Sequence, residues 1–165
     1  MGVLDDFMVK SDISLLDKVR IQAQVLVPVM RAMRAEIGRE KADALVRGAL
    51  REWSRQVFAE IGDGIEGSQG RKFAKMNTAL AEVTEREVAF DMHRDDKEAR
   101  EFNVTSCRFA EFFRALGEPE LGALLVCWTD VDIADAGRRD VSFNRDQTLM
   151  QGGSCCTFRY KFAPR

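Results

Sequence analysis

Two short stretches decide the fold: Val88-Ala89-Phe90-Asp91-Met92-His93 and Phe102-Asn103-Val104-Thr105-Ser106, with the turn-rich Arg94-Asp95-Asp96-Lys97 between them. Val88, Phe90 and Met92 recur at every second position, and so do Phe102, Val104 and Ser106. A period of two puts each set on one face of a strand, so the segment reads as a β-hairpin with one apolar face. His93, the only histidine, falls on the opposite, polar face and reads first as a solvated hairpin residue.

Upstream of residue 84 the period is that of a helix. Leu16, Val19, Ala23, Leu26, Met30, Met33 and Ile37 follow one another at steps of three and four, the spacing of a single apolar stripe. Ser14 with Asp17 forms a capping box and Gly38 a stop. Pro28 removes one backbone donor inside the pattern, which predicts a kink near Gln24–Pro28 or two shorter helices. Val46, Leu50, Trp53, Val57 and Ile61 mark a second helix, ending at Gly62. Residues 62–70 hold four glycines and read as a connector. They also match G-x-G-x-x-G through Gly62, Gly64 and Gly67, but a dinucleotide loop needs a strand before it, and here a helix precedes. A short helix follows around Lys72–Val83.

Downstream, Thr105 or Ser106 can cap a helix carrying Phe109, Phe112, Phe113 and Leu116, which stops at Gly117. Pro119 opens another, reaching about Trp128. Beyond a turn at Asp135-Ala136-Gly137, Val141 and Phe143 suggest a third strand. Gly152-Gly153 makes a turn, and Cys156, Phe158, Tyr160 and Phe162 alternate as a fourth. The expected fold is α+β: N-terminal amphipathic helices, then a β-β-α-α-β-β unit whose strands form an antiparallel sheet with helices on one face. Residues 1–165 are expected to form one domain, helical over 1–61, joined through 62–70 to an α+β part over 71–165. The N-terminal helices could also pair two copies as a homodimer.

The chain's 165 residues, 45% of them hydrophobic, suffice for one domain with a substantial core. With 25 Lys and Arg against 27 Asp and Glu, it lacks the basic surface that nucleic acid selects. Met1 to Phe7 carries acids where an export signal needs basic residues, and Asp6 stands where a myristoylation site needs Ser or Thr. The longest near-apolar run, Leu121–Trp128, is far short of the roughly 20 residues that span a bilayer. A cytoplasmic protein with no membrane or nucleic-acid partner is expected.

In a reducing compartment, cysteines are more often free thiols, ligands or catalytic groups than disulfides. Cys107, Cys127, Cys155 and Cys156 all lie in the C-terminal half, without the C-x2–4-C spacing of a structural zinc site. No metal or cofactor is therefore expected, although Cys107, Cys127, Cys156 and His93 remain a possible set by residue type. Cys107 begins a helix, where free N–H groups and the helix dipole lower a thiol pKa. Cys156 shares a strand face with Phe158 and Tyr160; Cys155 takes the other.

Three stretches together resemble the L-2-amino-thiazoline-4-carboxylic acid hydrolase family: Phe102 to Glu111, Leu116-Gly117-Glu118-Pro119-Glu120-Leu121, and Cys127-Trp128-Thr129-Asp130. So do Phe143 to Gly152 and Cys156 to Tyr160. The resemblance puts the family's recurring positions on Cys107, Cys127, Asp130, Thr148, Gly152, Cys156 and Phe158, and departs at Thr157, where the family has Asp. It implies hydrolytic opening of a thiazoline ring to N-carbamoyl-cysteine, in bacterial cysteine metabolism. On that reading the catalytic candidates are Cys107 as nucleophile and Asp130 as base or orienting acid, with Cys127 and Cys156 beside them. Arg159, Thr148 and His93 are the substrate-binding candidates, and the partner is a small molecule. The alternative is a non-enzymatic sensor that binds a small molecule or a metal in a cysteine-lined pocket.

Overall fold

A computed structural model of the chain describes residues 13–67, 69–136 and 140–163. The N-terminal residues weighed for export and lipidation, and Gly137 of the expected turn, lie outside the described residues.

Helix α1 (Leu15–Ile37) is capped by Ser14, whose hydroxyl oxygen accepts the Asp17 N–H at 3.1 Å. It ends at Gly38, whose φ of 83° lies in the region that favours glycine. α1 is one uninterrupted helix, not two. Pro28 sits on its exposed side, where water can satisfy the Gln24 carbonyl that loses its donor. Helix α2 (Arg39–Asp63) follows at once, and α3 spans Gln69–Thr84. Both helices extend into the glycine-rich stretch and shorten the expected connector.

Strands β1 (Val88–Asp95) and β2 (Ala99–Cys107) form the hairpin. β2 runs one residue beyond the predicted cap: Cys107, not Thr105 or Ser106, is the N-cap of α4 (Arg108–Ala115). Next come α5 (Pro119–Gly122), a π-helical segment over Ala123–Cys127, and α6 (Trp128–Ala136). After β3 (Val141–Asn144) and a 3-10 turn at Leu149–Gln151, β4 (Cys156–Phe162) closes an antiparallel sheet of order β1-β2-β4-β3. The fold is the expected α+β arrangement.

In register, Phe102 faces Phe158 and Val104 faces Cys156, so the apolar positions of neighbouring strands share one face. Phe102 stacks on Phe158 with ring centroids 4.7 Å apart, and Phe143 stacks on Tyr160 at 4.6 Å. Phe73 of α3 and Ile133 and Ala134 of α6 cover this face and complete one core. A second core joins α1, α4, α5, the π segment and the 3-10 turn through Leu16, Met30, Phe113, Leu121, Leu124 and Met150. Val88, Cys107 and Leu149 pack against both cores. A forked ion pair, Arg47 to the buried Asp132 at 2.6 and 2.9 Å, ties α2 to α6.

Candidate functional site

The catalytic candidates lie at and beside the seam between the two cores. The π segment brings Cys127 to its last position, and Asp130 follows three residues later in the first turn of α6. A π segment inserts an extra residue into a helical run and recurs at functional sites. The loop after β3 then supplies Arg145. Its guanidinium donates to Asp130 Oδ2 at 2.6 Å and to the Cys127 carbonyl at 3.0 Å, joining both ends of the Cys-x-x-Asp turn. Its Cζ lies 5.3 Å from the Phe158 ring centroid and 5.6 Å from that of Phe143. Two aromatic faces and a carboxylate thus fix a mostly buried cation in one orientation.

Cys156, at the start of β4, accepts the Leu149 N–H on its sulfur at 3.2 Å. Cys107 closes β2 and opens α4. No capping bond reaches its side chain, yet the Ala110 and Phe109 amides act on the sulfur to lower its pKa. Cys107, Cys127, Cys156 and Asp130 all lie within electrostatic reach of one another. The four catalytic candidates are brought together, with Arg145 among them.

Burial sets the proton affinities. It raises all three thiols above their ordinary value, Cys127 most strongly, and the Asp130 charge raises Cys127 further. Burial also pushes the Asp130 carboxyl up to about 6, against the opposing pull of Arg145. A carboxyl group near 6 is charged at neutral pH yet can be protonated at little cost, which suits a group that takes and returns a proton.

Of the substrate-binding candidates, Arg159 and His93 fall elsewhere. Arg159 projects to the far face of the sheet, where it donates to the Phe102 and Phe158 carbonyls and to Asn103 Oδ1, each at 2.8 Å. There, with Glu101, Ser142, Asn144 and Lys161, it lines an open concavity of about 490 Å3. Thr148 is buried beside the cluster, but its hydroxyl caps the 3-10 turn, accepting the Gln151 N–H at 3.2 Å. His93 is exposed on edge strand β1 at an irregularity in the pairing with β2. Among the described residues, no group of three or more His, Cys, Asp or Glu side chains is disposed to hold a metal ion.

Thr157, the departure from the expected Asp, accepts the Asp146 N–H at 2.9 Å and the Gln147 N–H at 3.4 Å. It holds the loop that carries Arg145. A carboxylate there could accept the same two amides, so the hydroxyl oxygen preserves this anchoring. Gln147 Nε2 approaches the Cys155 sulfur at 3.5 Å. Arg145 is the residue that periodicity missed. Its signal was a cation next to an aromatic strand within the Phe143–Gly152 stretch.

The model of one protein family, described as L-2-amino-thiazoline-4-carboxylic acid hydrolase, matches residues 18–160. No curated protein matches the chain.

Proposed function

The chain belongs to the L-2-amino-thiazoline-4-carboxylic acid hydrolase family, and we propose that it is a hydrolase opening a small cyclic amidine of the thiazoline type. The convergence of Cys107, Cys127, Cys156, Asp130 and Arg145 at one seam, inside the matched span, carries this reading.

In the proposed reaction the Cys107 sulfur adds to the ring carbon between nitrogen and sulfur, and Asp130 takes the thiol proton. The ring carbon–sulfur bond then breaks and the departing sulfur receives that proton. Water displaces Cys107 from the resulting isothiourea, leaving a carbamoyl group and restoring the thiol. Overall the water oxygen ends on carbon, and its protons on the ring nitrogen and the released sulfur. Arg145 is the positioning residue: it holds Asp130 in place and limits the rise in its pKa. Arg145, not Arg159, lies beside Asp130 and Cys127.

Thiol release from L-2-amino-thiazoline-4-carboxylate, followed at steady state, tests the proposal. Asp130→Asn is expected to lower kcat/KM by about 10²–10⁴, the usual contribution of a positioned acid–base group, and Cys107→Ser to lower it at least tenfold. Undiminished turnover in both variants would reject the site. The upward shift of all three thiols favours a second reading, a sensor that binds a cyclic amidine without turning it over. Ligand-induced thermal stabilisation with no product formed over hours would select it.

A further inference from the structure

We propose that α1 carries a self-complementary outer face on which a second copy of this chain docks antiparallel, giving a two-fold homodimer. The inference is independent of the proposed chemistry.

Lys18, Gln22, Val25, Val29, Ala32 and Glu36 follow one another at steps of 4, 3, 4, 3 and 4. On a helix this spacing makes a straight seam, and it lies opposite the buried line of Leu16, Ala23, Val27 and Met30. Val25 is 64% exposed and Val29 47%, with Ile21 at 54% and Leu26 at 38% along the flanks. Gln22, Ala32 and Glu36 are exposed too. From Ile21 to Met30 there is no charged residue, in a chain that is 32% charged. Depletion of charge around exposed aliphatic side chains is what distinguishes the centre of an interface from ordinary surface.

The seam names its own occupant. Its spacing reads the same from either end, so turning α1 end over end lays the seam onto itself. Lys18 then meets Glu36 of the partner subunit, Gln22 meets Ala32 of the partner subunit, and Val25 meets Val29 of the partner subunit, each twice across the two-fold. Opposite charges close both ends of an apolar centre. Neither Lys18 nor Glu36 makes an ion pair among the described residues. The nearby arginines are drawn away from the seam, Arg20 to Asp17 at 3.1 Å and Arg31 to Glu118 at 2.6 Å. A parallel pairing would instead set lysine against lysine and glutamate against glutamate.

Sedimentation of the full chain across the micromolar range tests this. The expected result is a concentration-dependent dimer, which Val25→Glu with Val29→Glu converts to a monomer of unchanged far-UV circular dichroism. Lys18→Glu alone, or Glu36→Lys alone, should weaken the dimer roughly tenfold by placing like charges together twice, and the double reversal should restore it. These two charged positions, Glu36 exposed and Lys18 half-buried, keep the test open should the valine variant fold poorly. A wild type that stays monomeric throughout would overturn the proposal. So would a dimer indifferent to the valine changes, or one that the double reversal weakens as much as either single reversal.

Discussion

Burial and an arginine act on Asp130 in opposite directions, and burial prevails, leaving the carboxyl at about 6 instead of its ordinary 3.8. Because folding favours the protonated form, this group's contribution to stability is complete below about pH 4 and is lost as pH rises through about 6. Asp130→Asn removes that titration. Urea unfolding of wild type and variant at about pH 4 and about pH 7 should show the wild type losing ground, relative to the variant, at the higher pH. Arg145→Gln deletes the charge that opposes burial, so the acidic limb of kcat/KM should move above 6. A limb that stayed put would show that Arg145 does not act through Asp130. The cysteines and Asp130 were legible as residues because thiols at a helix start and a Cys-x-x-Asp turn are local patterns. Arg145 was not, because its partners are 15 and 18 residues earlier and meet it only through the loop after β3.

At the scale of elements, the π segment Ala123–Cys127 is wedged in place by close packing at its start. A Cβ added to Gly122 would come within 2.5 Å of Met150 Sδ and 2.6 Å of Phe113 Cγ, so the backbone of α5 approaches α4 and the 3-10 turn more closely than any other residue permits. Gly122→Ala should cost about 1–3 kcal/mol by overpacking and lower the melting temperature. It should also lower activity, since displacing α5 moves Cys127 and Asp130 together. A variant as stable and active as wild type would contradict this account of the segment. Alternation of apolar residues revealed all four strands, and the 3.6-residue period revealed the long helices. The π segment was invisible because Leu121 to Trp128 is apolar all round, so its periodicity cannot distinguish one helical winding from another. The N-cap shifted to Cys107 because the Val88–Cys107 pair holds β2 in the sheet through that residue.

Across the whole molecule, the helical core and the sheet core meet along Val88, Cys107 and Leu149, with Cys127 packed against the first core and Cys156 inside the second. The family match likewise takes in both cores, over residues 18–160, and not the C-terminal part alone. α1 supplies the buried wall behind α4, whose N-cap is Cys107. α2 holds α6, and with it Asp130, through the Arg47–Asp132 fork. No described helix is long and apolar enough to cross a membrane. The antiparallel sheet with helices on one face could be read from the order of strands and helices. The placement of Arg159 and His93 away from the cluster could not, because it depends on which sheet face and which edge remain uncovered. The central claim, that Asp130 moves the proton in a cysteine-lined hydrolytic site, is tested most directly by the pH dependence of kcat/KM for thiazoline ring opening in wild type and Asp130→Asn. The wild type should show a limb near pH 6 that disappears in the variant, together with a loss of about 10²-fold or more at neutral pH. An Asp130→Asn enzyme retaining both the wild-type rate and that limb would contradict it.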